Sequence, residues 1–140
     1  MLDKAHWQHL IPHRDAMCLL DAVSAWDETH IHATALSHRD ADNPLRADER
    51  LHALALCEYG AQAMAIHGGL LAQRDDRAAA PGLLVSLHAV TLHVTRIDDL
   101  PDVLDVYAEK LLDGGSSLQY ALRVEHRGQV LAVGRAAVMT

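Results

Sequence analysis

The chain has 140 residues, half of them hydrophobic and 22% charged, which suits one domain over 1–140 with its own core and excludes a largely disordered chain. Twelve Lys and Arg against nineteen Asp and Glu leave a formal charge of −7, the wrong sign for a duplex nucleic-acid binder. The opening MLDKAHWQHLIPHRD lacks a basic start, an apolar run and a small-residue cleavage site, so a cytoplasmic protein without a signal peptide is expected.

In chain order, a short helix is expected near residues 3–10, followed by strands at 17–26 and 29–37 around a tight Asp27-Glu28 turn. The segment RLHALALCEYGAQAMAIHGGLLAQ, residues 50–73, is rich in Ala and Leu and free of Pro. It predicts one long helix with Asp48 as a possible N-cap, weakened near its end by Gly68 and Gly69. That helix is apolar almost all round, so it must be engulfed by the rest of the protein; His52, Glu58, Gln62 and His67 inside it argue against a membrane span. The DDRAAAPG stretch at 75–82 reads as a loop, and LLVSLHAVTLHV predicts a strand over about 83–95.

After that the period becomes two. Leu118, Tyr120, Leu122 and Val124 alternate with Gln119, Arg123 and Glu125, the pattern of a half-buried strand. Turns at 113–117 and 126–128 divide the C-terminal part into strands near 103–112, 117–126 and 129–139, an antiparallel meander. The resulting plan is α+β: an antiparallel sheet of about six strands wrapped round one long helix, which is the hotdog plan. Such a sheet leaves an open edge, and pairing with another chain through that edge is expected.

Two segments carry a family resemblance. IPHRDAMCLLDAV, residues 11–23, resembles the PHR-x-P-x-LL-x-D opening of β-hydroxyacyl-acyl carrier protein dehydratases, matching at Pro12, His13, Arg14, Leu19, Leu20 and Asp21. EYGAQ, starting at Glu58, resembles the E-x-x-A-Q of the same hotdog family, in which the carboxylate is catalytic. MCLLD, SHRDADNPLR, EYGAQAMAIHG and the segment LHVTRIDDLP are similar to a divergent branch found in aryl polyene and xanthomonadin-type pigment clusters. The resemblance implies a β-hydroxyacyl carrier-protein thioester as substrate, carried on phosphopantetheine with no other cofactor, and a homodimer or a heterodimer with a second hotdog dehydratase. The family's G-H-F-x-G-x-P histidine loop is missing: fourteen residues before Glu58 stands Pro44, followed by LRADER.

Dehydration of a 3-hydroxyacyl thioester needs a base for the C2 proton, an acid for the C3 oxygen and donors for the thioester carbonyl. Glu58 is the candidate acid, because a carboxyl on an apolar helix is poorly solvated and desolvation favours its neutral form. His13 is the first candidate base, His38 and His52 the next. Gln62, one turn beyond Glu58, reads equally well as a substrate ligand or as a structural amide. Backbone N–H groups at the helix start or at Pro81-Gly82 are candidates for the thioester oxygen. Arg39, Arg46, Arg50, Arg74 and Arg77 form a basic rim suited to a phosphate or an acidic carrier protein, or else pair with nearby Asp and Glu. Cys18 and Cys57 read as reduced core thiols, and His30 with His32 as solvent-facing strand residues, so no metal is expected. Two other functions fit the same pattern: an acyl thioesterase using a helix carboxylate to activate water, and a noncatalytic subunit that pairs with an active dehydratase.

Overall fold

The structure, a computed structural model, describes residues 1–78 and 83–139. Its seven strands form one antiparallel sheet: β1 (Leu2–Asp3), β2 (Ala22–Trp26), β3 (His30–Ala35), β4 (Leu83–Leu92), β5 (Leu104–Asp113), β6 (Ser117–His126) and β7 (Gln129–Met139), in the order β1-β2-β3-β5-β6-β7-β4. The period-two segment at 117–126 is β6, flanked by β5 and β7 as the meander expects. Gly128, at φ +76°, closes the β6–β7 turn in a conformation a side chain would strain. The expected count of about six strands rises to seven because Leu2 and Asp3 pair with Val23 and Ala22.

Helix α1 (Lys4–Trp7) continues as a 3₁₀ turn at Gln8–Leu10, and α2 (Leu56–Arg74) runs across the inner face of the sheet. Trp7, Leu19, Ile31, Tyr59, Ile66 and Val106, all fully or almost fully buried, belong to the core between sheet and helix. Close approach explains two glycines of α2. A Cβ on Gly60 would lie 3.0 Å from Leu122 Cδ2, and one on Gly69 would lie 2.8 Å from Leu10 Cβ. Gly69 therefore seats the N-terminal segment against the helix.

The helix begins six residues later than its composition suggests. Asp48 and Glu49 both have positive φ, 53° and 63°, and close a two-residue turn in which Ala47 N–H donates to Arg50 O at 2.8 Å and Arg50 N–H to Ala47 O at 3.0 Å. Asp48 is thus a turn residue, not an N-cap. Ala53–Ala55 then form a 3₁₀ turn capped by His52, whose Nδ1 accepts from Leu54 N–H at 3.0 Å. The first β-hairpin is also shorter than expected, because residues 15–17 form a 3₁₀ turn and the next residues are held by α2. At the other margin β4 pairs with β7 alone, and its exposed Leu84 and Leu87 stand along the sheet edge.

Candidate active site

Helix α2 has two unlike faces. Tyr59, Gln62, Ala63 and Ile66 are buried, whereas Glu58, Ala61, Ala65 and Gly68, spaced three, four and three residues apart, form a stripe that the chain's own sheet leaves partly or fully open. A Cβ on Gly68 would meet nothing within 4 Å. Glu58 heads the stripe from the first turn of α2, exposed, with no hydrogen bond or ion pair among the described residues. The expected desolvated carboxyl is therefore corrected: within one chain Glu58 faces solvent, and any cover must come from a ligand or another subunit. Beside it, burial first and the Glu58 charge second push the Cys57 thiol up. Cys18 and Cys57 are both free and buried.

The segment that resembles the dehydratase opening is pinned along α2. Gln62, 1% exposed, accepts from Leu19 N–H at 2.9 Å through Oε1 and donates to Met17 O at 2.6 Å through Nε2. Its amide holds the backbone of 17–19, which is the structural alternative rather than the substrate contact. One turn earlier, Tyr59 hydroxyl shares a 2.7 Å hydrogen bond with Ser37 Oγ, which donates to Leu19 O at 2.7 Å, and Asn43 Nδ2 donates to Ser37 O at 2.9 Å and to Tyr59 Oη at 3.2 Å. Asp21 Oδ2 accepts from Leu36 N–H at 2.6 Å. These bonds fix the turn that carries Glu58 to the strand entry at 19–21 and to the loop at 36–43. Ser37, Asn43 and Tyr59 were not singled out in the sequence; the signal available was the SHRDADN run beside the family motif.

The candidate bases are dispersed. His38 is fully buried, with Nε2 bonded to Leu100 O at 2.9 Å, and burial pushes its pKa down. His52 is exposed and spends Nδ1 on its cap. In each, one ring nitrogen is engaged with the backbone, and His38 Nδ1 is buried without a hydrogen-bond partner. His13 is partly buried in a cleft with Lys4, His9, Arg14 and Cys18, its Nδ1 buried without a hydrogen-bond partner, and no hydrogen bond among the described residues joins it to Glu58. Gly82, with Pro81, lies outside the described residues.

The arginine rim divides. Arg74 pairs with Asp75 at 3.0 Å and Glu28 at 3.7 Å, and Arg77 with Asp75 at 3.8 Å. Arg39 instead donates to Asp98 O at 2.6 Å, and Arg46 to Asp40 O at 3.4 Å and Glu49 O at 3.3 Å. Neither these two nor Arg50 makes an ion pair among the described residues. Asp98 organises that half: its carboxylate accepts from Leu51 N–H at 2.9 Å and from Arg96, whose guanidinium holds it well below the usual carboxylate range against the opposing effect of burial.

Outside the site, His30 lies 3.5 Å from Asp27 and 3.6 Å from Glu109, and His32 Nε2 donates to Asp105 Oδ1 at 2.8 Å while its ring stacks on Tyr107. Among the described residues no three His, Cys, Asp or Glu side chains converge as a metal site would require. No helix among them is long and apolar enough to cross a membrane.

A family model described as ApeP-like, ApeP dehydratase, matches residues 5–140. The chain belongs to the ApeP-like dehydratase family. Among solved structures it is similar to a chain of the dehydratase heterocomplex ApeI:P from Xenorhabdus doucetiae, with a TM-score of 0.84 and 25% identity over 95% of this chain and 89% of that one. It also shares its fold with a putative thioesterase from Shewanella oneidensis, TM-score 0.66 and 11% identity over 98% and 93% of the two chains. A hypothetical thioesterase from Streptococcus pneumoniae, solved with coenzyme A, gives a TM-score of 0.65 and 11% identity over 97% and 94%. Among curated proteins none matches the sequence. The fold of this ApeP-like chain is the hotdog fold, as the order of its elements implies.

Proposed function

We propose that this ApeP-like chain takes part in the dehydration of 3-hydroxyacyl thioesters on an acyl carrier protein to trans-2-enoyl thioesters, in polyene pigment or fatty-acid-type synthesis. The observation that carries the reading is the family match along 5–140, with Glu58 at the head of an open helix stripe. In the reaction a base removes the C2 proton and Glu58 protonates the departing C3 hydroxyl, so that one water leaves and a C2–C3 double bond forms. The chemistry needs two titratable groups and no cofactor; the acyl group arrives on phosphopantetheine. Arg39 and Arg46, joined by Arg50, offer positive charge near the start of α2 to an acidic carrier protein. His13 is the chain's own candidate base.

A second reading is supported by the exposed Glu58, by the absence among the described residues of a hydrogen bond between it and His13, and by the open β4 edge. In it the chain is one half of a dehydratase whose base sits on a partner hotdog subunit, as the heterocomplex neighbour is a pair of different chains by its name. Intact mass spectrometry of a 3-hydroxyacyl carrier protein tests both. Water loss with this chain alone, abolished by Glu58→Gln, supports the autonomous enzyme. Water loss only after a second dehydratase is added supports the subunit, and loss of the whole acyl group overturns both in favour of thioester hydrolysis.

A further inference from the structure

The cleft containing His13 is cationic in a protein whose net charge is −7. It measures about 390 Å³ and is lined by Lys4, Gln8, His9, His13, Arg14, Asp15 and Cys18. Lys4 Nζ is loosely held, 3.4 Å from Cys18 O and 4.0 Å from Asp21. Arg14 anchors one amino group on the carbonyls of Ile11, His13 and Gln8, and its side chain, part of the cleft lining, makes no ion pair among the described residues. His9 is exposed, and His13, with Nδ1 buried, has Nε2 as its accessible nitrogen. Against these stands a single lining carboxylate, Asp15, exposed and without an ion pair among the described residues. The donors are ammonium, guanidinium and imidazole nitrogens in a concave site large enough for a small ligand group, the composition that suits an oxyanion.

We infer that this cleft is an anion site that takes the phosphate of a phosphate ester. The cleft is coupled to the Glu58 turn through its own wall: Cys18 precedes Leu19, whose carbonyl accepts from Ser37 Oγ at 2.7 Å, and Ser37 bonds Tyr59, the residue after Glu58, at 2.7 Å. Resting on the second reading above, in which the base sits on a partner subunit and His13 is not at the reacting carbon, the ester is the 4′-phosphopantetheine arm, held here by its phosphate. Free inorganic phosphate is the other source of the same chemistry. Arg39 and Arg46 then meet the protein surface of the carrier rather than the arm.

The test titrates 4′-phosphopantetheine, pantetheine and inorganic phosphate into the full chain, reading affinity by calorimetry and position by amide NMR shifts. Lys4→Gln with His9→Gln is the variant, since both side chains are at the surface and a thermal melt checks the fold. The wild type should bind phosphopantetheine at least about tenfold more tightly than pantetheine, with shifts at Lys4, His9 and Cys18, and the double variant should lose that preference. Equal binding of the two compounds, or a preference that survives in the folded double variant, overturns the site. Saturation by inorganic phosphate with no gain from pantetheine supports the anion site and overturns its assignment to the carrier arm. Water loss in the dehydration assay is read separately. If it is absent both with and without a second dehydratase while the phosphate preference holds, the dehydratase reading fails and this site stands; if it is present without the preference, the site alone fails.

Discussion

The two faces of α2 set a clamped surface against an open one within a single helix. On the clamped face Gln62, Tyr59 and His67 each place polar atoms on a fixed partner, His67 with Tyr120 Oη at 2.7 Å and with Asp27 O at 2.8 Å. On the open face Glu58, Ala61, Ala65 and Gly68 have small or unpaired side chains. Buried polar groups must be satisfied or they destabilise the fold, so the first face is where substitutions unfold the protein. The second face carries no buried polar group to satisfy, so substitutions there should leave the fold intact.

Breaking that contrast at its sharpest point, Glu58→Gln should lower turnover at least about a hundredfold, measured by water loss from the acyl carrier protein, with no change in melting temperature. A loss of stability instead would place Glu58 on the clamped side. Conversely, Gln62→Ala removes an acceptor and a donor at once from the buried backbone of Met17 and Leu19, costing about 3 kcal/mol. The expected reading in a thermal melt is a fall of roughly 10 °C. An unchanged melt would show that water replaces the amide and that the clamp is not rigid.

Adjacent glycines sharpen the comparison. Gly69→Ala drives a Cβ to 2.8 Å from Leu10 Cβ, an overpacking that should cost about 1–3 kcal/mol. Gly68→Ala meets open space and should stabilise the isolated chain by up to ~1 kcal/mol through helix propensity. If Gly68→Ala also lowers turnover while raising stability, the stripe is occupied during function. Denaturant melts of both variants, together with the mass assay, decide this.

The smallest expected effect is on pH dependence. Burial, first among its causes, holds both His67 and His38 below the ordinary histidine value of 6.5. For such a group the unfolded chain takes up a proton that the folded chain refuses, so stability is full above the unfolded value and is lost as pH falls below about 6.5 toward the folded one. Urea melts at pH 7.5 and 5.5 should therefore show a weaker fold at the lower pH, a difference reduced in His67→Gln.

Much of this architecture is readable from local pattern. The alternation at 117–126 gives β6 its bounds, and the Asp27-Glu28 turn joins β2 to β3, where Asp27 Oδ1 accepts from Thr29 and His30 N–H at 2.9 and 2.8 Å. The start of α2 lies beyond the helix-like composition for a physical reason: residues 50–55 have helical composition, but consecutive left-handed residues at 48 and 49 and the capping His52 divert the chain first. Gln62 was legible as a polar residue in an apolar helix, though not as the residue that holds 17–19, because its partners lie 43 and 45 positions away. The expected role of Gly82 falls outside the described residues.

Sequence by itself determined the order of elements, the wrapped helix and the two dehydratase-like segments, since hydrophobic period, turn chemistry and short motifs are properties of neighbouring residues. Tertiary structure alone decided which side of α2 is left open, that Glu58 faces outward, that His38 and His52 each engage the backbone through one ring nitrogen, and that Lys4, His9, His13 and Arg14 share one cleft. A helix apolar almost all round carries no moment that says which face the sheet will cover. That choice is made by long-range contacts, by Leu10 against Gly69, Leu122 against Gly60 and Leu19 against Gln62, which come into being only when the sheet closes over the helix.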